Sequence, residues 1–239
     1  MKKGLVRPRS LSVKSISLFA LAFFALLAAS PRDIRGAEQP EFLMTWNAQT
    51  YVPLGYRGKT LPSRESTIDV SLELITQGRL ANLSKNEIRW FVNEGQYATG
   101  KGLKGFSFVV PRTATGNVRV KAAILDYQST NIEKTILIPI AAPVVVIDMP
   151  SLFGNTIPLR ETLVARALPY FFNTSDVKDL QFSWSANGIQ PTGETENPDI
   201  LNLDLAKATV GNRINLRVAV TNPSHELEVA SDAMNLELR

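Results

Sequence analysis

The chain is 239 residues long, with 44% apolar and 20% charged residues, no cysteine, one histidine and 14 each of glycine and proline. This balance excludes a collagen-like, a disulfide-stapled and a wholly disordered chain, and the length allows one large or two small domains. The formal charge of +4 is a property of the leader. Residues 1–36 hold Lys2, Lys3, Arg7, Arg9, Lys14, Arg32 and Arg35 against Asp33, and without them the 26 bases and 22 acids fall to 19 and 21, a net of −2. The remainder is mildly acidic and carries no charge footprint for nucleic acid.

Five bases precede the apolar run 16–29, the n-region and h-region pattern of a secretory signal, with the amino terminus held on the cytoplasmic side. The run is shorter than the ~20 residues that comfortably span a bilayer, which favours a cleaved signal peptide. Ala28 and Ser30 have the small side chains that cleavage requires, but Pro31 would follow the cut. Residues 1–36 therefore read as a signal peptide or an N-terminal membrane anchor, and everything beyond as extracytoplasmic, secreted or anchored to the cytoplasmic membrane by an N-terminal hydrophobic helix. With no cysteine to acylate, any attachment to a membrane runs through this leader.

Past residue 40 the apolar pattern has period two. Ile68, Val70, Leu72 and Leu74 alternate with Asp69, Ser71 and Glu73, and Val118, Val120, Ala122 and Ile124 with Asn117, Arg119 and Lys121. Leu201, Leu203 and Leu205, then Ile214, Leu216, Val218 and Val220, and finally Met234, Leu236 and Leu238 continue it. These are half-buried strands, separated by Gly, Pro and Asn clusters, and the pattern predicts an all-β antiparallel sandwich architecture.

The two halves echo each other. Leu61-Pro62-Ser63-Arg64-Glu65 returns as Ile157-Pro158-Leu159-Arg160-Glu161, Trp90-Phe91-Val92-Asn93 as Trp184-Ser185-Ala186-Asn187, and Gly116-Asn117 as Gly211-Asn212, with matching separations. Three echoes in order predict an internal repeat of roughly 95 to 100 residues. Its boundary near Ala141-Ala142-Pro143 divides the chain into sandwich 37–142 and sandwich 143–239, joined by almost no linker. Trp90 and Trp184 read as core anchors. The segment Pro53-Leu54-Gly55-Tyr56 and its partner Leu152-Phe153-Gly154 read as kinks where the first strand of each half changes sheets.

A Trp in an early central strand, an Asn-Gly-type hairpin after it and a late Val-x-Val-x-Ala strand introduced by Gly-Asn resemble the tandem immunoglobulin-like and PKD-like modules of bacterial exported surface proteins, over residues 41–239. The resemblance implies a fold of two tandem immunoglobulin-like β-sandwiches and a surface location. The chain lacks the inter-sheet cysteines of antibody domains and the Trp-Asp-Phe-Gly-Asp run of PKD repeats.

Chemistry is sparse. His225, the single histidine, lies in the turn Asn222-Pro223-Ser224-His225-Glu226 and reads as an exposed turn residue, so neither a Ser-His-Asp engine nor a nitrogen-rich metal site is expected. Glu194, Glu196 and Asp199 follow the Trp184 strand, and Asp176 and Asp179 precede it. Oxygen ligands suit calcium, but the spacing is not that of a calcium loop, and these acids read as solvated. No metal and no cofactor is implied. Residues repeated in both halves serve packing, so a partner should be read by what differs: the glycine-rich hairpin 95–105 with Tyr97, Lys101 and Lys104, and the acidic turn Glu194, Glu196 and Asp199. Opposite charge at matched places would allow a weak self-association.

The functional reading is a non-enzymatic exported or membrane-anchored protein whose two modules bind a protein or cell-surface partner. The alternative is a structural or accessory component of a cell-envelope assembly of the pilus or secretion type, and a carboxylate-dependent enzyme ranks third. A periplasm-dependent reporter fused after residue 239 should be active and a cytosol-dependent one silent; the reverse pattern would remove the export reading.

Overall fold

The computed structural model describes residues 39–150, 156–158, 162–191 and 196–239. The leader with its expected helix, Leu152-Phe153-Gly154, Leu159-Arg160-Glu161 and Glu194 lie outside the described residues. Among those described, no helix is long and apolar enough to cross a membrane. The only helical piece there is a 3-10 turn, Val177–Asp179.

Period-two alternation becomes strands in the first half: β1 Glu41–Ala48, β2 Thr67–Thr76, β3 Arg79–Leu80, β4 Glu87–Val92, β5 Gly95–Lys101, β6 Gly105–Val109, β7 Asn117–Tyr127 and β8 Thr130–Pro139. One sheet joins β1 to β2, with β3 and β6 along the other edge of β2; the other has the order β5-β4-β7-β8. Ile68, Val70, Leu72 and Leu74 from the first sheet meet Ile88, Trp90, Val118, Val120, Ala122 and Ile124 from the second in one apolar cluster. The second half repeats the plan with β9 Val144–Asp148, β10 Thr156–Ile157, β11 Thr162–Tyr170, β12 Gln181–Ala186, β13 Ile200–Asp204, β14 Arg213–Thr221 and β15 Val229–Leu238. Sheet β13-β11-β9 and sheet β10-β15-β14-β12 share a separate cluster containing Leu163, Ala165, Trp184, Leu216 and Val218. Two sheets over one core, with a buried Trp on the strand that precedes the sheet's edge hairpin, are an arrangement of immunoglobulin type.

Every pairing among the described strands is antiparallel except β10 against β15, which is parallel. This departs from the all-antiparallel expectation because β10 follows β9 in the chain yet pairs in the opposite sheet, beside the last strand and in its direction. The first half makes the same crossing with a single contact, the Ala141 amide donating to the Pro62 carbonyl at 2.9 Å. Ahead of that crossing, Gly55 at φ 88° closes a turn in which the Tyr56 amide donates to Pro53.

The repeated residues do repeated work. Trp90 and Trp184 are 0% and 6% exposed, and each indole N–H reaches one backbone carbonyl, that of Leu103 at 2.9 Å and of Pro198 at 3.1 Å. Burial of the ring is thus achieved without stranding its donor. Asn93 and Asn187 take left-handed φ of 46° and 52°, open two-residue hairpins, and grip the neighbouring strand twice. The Asn93 amide donates to the Arg119 carbonyl while its side-chain oxygen accepts the Arg119 amide; Asn187 does the same with Asn215. Asparagine fits because it tolerates this backbone and can bond locally.

The expected loop 95–105 is mostly strand. Only Asn93-Glu94 forms the turn; Gly95–Lys101 pairs with β4, and a bulge at Tyr97 lets Trp90 oppose Ala98 while Phe91 opposes Gln96. Hairpin pairing wins because the tight turn brings the segment directly against β4.

Trp90→Ala or Trp184→Ala should lower unfolding free energy by about 3–5 kcal/mol through lost burial and the residual cavity. Denaturant unfolding checks this, and red-shifted emission from folded single-Trp variants would show exposed rings instead.

Candidate functional site

The bulge in β5 turns Tyr97 toward β6, where its ring centroid lies 5.2 Å from Phe106 and 5.9 Å from Phe108, yet the residue stays 54% exposed. Lys101 is exposed at the end of β5. Lys104 is different: its ammonium sits 2.9 Å from the Glu73 carboxylate, and its carbonyl accepts the Leu72 amide at 2.8 Å. It fastens the β5–β6 connection to β2. Glu196 is exposed, whereas Asp199 is half-buried and its carbonyl accepts the Ala167 amide at 2.8 Å. Asp176 caps the 3-10 turn through the Lys178 amide at 3.0 Å, and Asp179 accepts from Thr174 at 2.6 Å. Among the described residues no three His, Asp or Glu gather as metal ligands.

A denser polar cluster joins the two halves. Glu228, just before β15, is 3% exposed. Its carboxylate accepts from Ser63 Oγ at 2.6 Å, the Asn173 amide at 2.7 Å and Asn222 Nδ2 at 2.8 Å. Ser63 belongs to the first half and is itself fully buried. No cation pairs with Glu228 among the described residues, so three neutral donors hold the charge. Removing such an ion from water costs several kcal/mol, and only hydrogen bonds of charged type, about 1.5–3 kcal/mol each, can offset that.

Asn173 and Tyr51 extend the tie. Asn173 Nδ2 donates to the Glu65 carbonyl at 3.0 Å and lies 3.0 Å from His225 Nε2, while His225 Nδ1 is 4.0 Å from the Glu65 carboxylate. His225 is therefore a half-buried junction residue, not the exposed turn residue its neighbours suggest, because the turn folds back against the first half. Tyr51 and residues 171–172 exchange backbone bonds: the Tyr51 amide donates to Phe172 at 2.8 Å and the Phe171 amide to Tyr51 at 2.7 Å. Both Glu65 and Phe171 hold left-handed φ, 64° and 63°. Such backbone is costly for a bulky residue and persists where surrounding bonds over-determine it.

Partial burial pushes the Tyr51 hydroxyl above its ordinary pKa, reinforced by the nearby negative charges of Asp199 and Asp176 and opposed by Arg166. Asp199, chosen from sequence as a binding residue, thus lies close enough to Tyr51 for its charge to be felt there. Beside the cluster lies a cleft of about 290 Å³ whose walls include Arg64, Ala114, Ile140, Pro143 and Leu227.

No known protein family profile matches the chain, and no curated protein matches it. Solved structures do align. Fibronectin(III)-like modules of Clostridium thermocellum CbhA share 12% identity over 82% of this chain and 94% of theirs, with a TM-score of 0.28. Three N-terminal domains of the outer capsid protein Hoc of bacteriophage RB49 share 10% identity over 84% of this chain and 59% of theirs, at 0.43. The Ig1-2 module of the Drosophila receptor tyrosine phosphatase DLAR shares 10% over 84% and 98%, at 0.25.

Glu228→Gln should lower stability by about 2–4 kcal/mol, because an amide NH₂ replaces one acceptor among three donors; Ser63→Ala should cost about 1 kcal/mol. Urea midpoints measure both. A second outcome follows from Tyr51. Its folded-state pKa lies above the unfolded one, so its contribution is complete below the ordinary tyrosine value of about 10 and is lost as pH rises through the folded-state value. Alkaline unfolding curves of Tyr51→Phe should lack that loss.

Proposed function

We propose that residues 37–142 and 143–239 are two immunoglobulin-like β-sandwich modules, exported by residues 1–36 and secreted or held on the cytoplasmic membrane, which bind a protein or cell-surface component without catalysis. The observation that carries this reading is the edge strand β5. Its outer side pairs with no described strand, its bulge presents Tyr97 half-exposed, and Lys101 ends it in solvent. Bulged edges re-aim side chains, and an exposed aromatic is a common contact residue. Phe106, Phe108 and the Lys104–Glu73 pair brace it from behind. The turn bearing Glu194, Glu196 and Asp199 is the second contact region.

The buried carboxylate supports binding over catalysis. Its three donors, two from its own half and Ser63 from the other, leave Glu228 committed to structure.

Tyr97→Ala with Lys101→Ser, leaving Lys104 in place, should change stability by no more than about 0.5 kcal/mol. Photo-crosslinkers placed at 97 and 101 on cells exporting the protein should trap a partner, and the double variant should lose it, most strongly at low salt. Sedimentation of the purified chain at two ionic strengths separates a second copy from a foreign partner. Equal capture by both proteins would leave β5 a plain edge strand.

A further inference from the structure

The single histidine sits where the two halves meet, and its hydrogen-bond partners dictate its protonation. A backbone carbonyl can only accept, so the Glu65 carbonyl 3.0 Å from the Asn173 side chain must face the NH₂ group. That same NH₂ faces His225 Nε2 at 3.0 Å. Nε2 must therefore be the acceptor, and the ring hydrogen belongs on Nδ1, pointing at the Glu65 carboxylate 4.0 Å away. The arrangement admits the neutral ring in one tautomer only.

We propose that His225 and Asn173 form a proton-operated latch at the junction, closed on the Glu65 carbonyl when the imidazole is neutral. Adding a proton to Nε2 sets N–H against N–H₂, so the Asn173–His225 bond breaks. Turning the amide over lets its oxygen accept from the imidazolium, but then oxygen faces the Glu65 carbonyl and that bond is lost. Asn173 cannot keep both bonds: the first outcome frees it from His225 within the second half, and the second opens its tie to Glu65 across the junction.

Charged groups surround the ring. The Glu65 carboxylate faces Nδ1, Glu228 accepts the main-chain N–H of Asn173, and Glu226 is adjacent and exposed. Arg64, next to Glu65, has its Nε on the Ala114 carbonyl at 3.1 Å. Protonation thus exchanges an amide bond for a His225–Glu65 ion pair. The Tyr51–Phe172 bridge and the Ser63–Glu228 bond contain no such group, so the halves stay joined while the latch opens. This inference does not depend on the binding role of β5.

Because the chain has one histidine, histidine-selective ¹⁵N labelling of the full chain reports His225 alone. At pH 8 the spectrum should show the Nδ1–H tautomer. Lowering the pH should protonate the ring, and the Asn173 side-chain amide signals of ¹⁵N-asparagine-labelled chain should move with the same midpoint, with at least threefold faster NH₂ exchange at the acid end. In His225→Gln the Asn173 response should vanish. An Nε2–H tautomer at pH 8, a ring that stays neutral down to pH 5, or an Asn173 amide indifferent to the titration would each overturn the latch. So would an Asn173 response that persists in His225→Gln; should that variant not fold, the wild-type spectra decide alone.

Discussion

A carboxylate removed from water, with no counter-ion among the described residues, ties the two halves of this chain together. Glu228 is tolerable in its place only while Ser63, Asn173 and Asn222 aim their donors at it. Two of those donors come from its own half and one from the other. A junction that slid while staying closed would strip Ser63 from the carboxylate and leave a buried hydroxyl and a buried charge each short of a partner. Polar burial of this kind penalises the broken state more than it rewards the intact one, so the junction behaves as a tie and not as a greasy contact that can slide.

The strained residues sit on the same tie. Glu65 and Phe171 both occupy left-handed backbone, and each is fixed by a bond across the junction, Glu65 through its carbonyl to Asn173 and Phe171 through its amide to Tyr51. The Phe171 conformation turns its ring toward Tyr56 of the first half, 6.0 Å between centroids, with Tyr170 5.6 Å from the same Tyr56. Backbone strain, an aromatic cluster and a buried charge thus converge on residues 51–65 of the first half and on 170–173 and 222–228 of the second.

The fold was readable because it rests on local pattern. Alternation at 68–74 and 118–124 marks strands whose inward residues are all buried, and the Trp and Asn echoes marked positions that do identical hydrogen-bonding work in both halves. Reading failed where pairing overrides composition: the glycines of 95–105 suggested a loop, but a two-residue turn folded the segment onto β4 as a strand. The parallel β10–β15 pair was also invisible, since alternation says which face is buried and not which sheet a strand joins. The junction could not be read at all. Ser63 and Glu228 are 165 positions apart, and no spacing rule connects a serine before β2 with a glutamate after an Asn-Pro turn. Lys104 looked like a free surface cation until Glu73, on a strand 31 residues earlier, proved to hold it.

The junction draws on residues the repeat shares and residues it does not: Glu65 is echoed by Glu161, whereas Ser63 stands where the second half has Leu159. Duplicating a sandwich copies its core, its indole bonds and its hairpin asparagines, each of which is satisfied inside one half. A tie between halves needs groups that face each other and are unlike: a donor on one side, an acceptor on the other. Ser63 and Glu228, or Glu65 and Asn173, cannot be echoes of one another and still bond. Apolar burial would join the halves at many angles with similar energy, because it has no direction. Hydrogen bonds at 2.6–3.0 Å to a buried carboxylate and a fixed amide discriminate among those angles, and that discrimination is what a buried polar junction contributes beyond its small net stability.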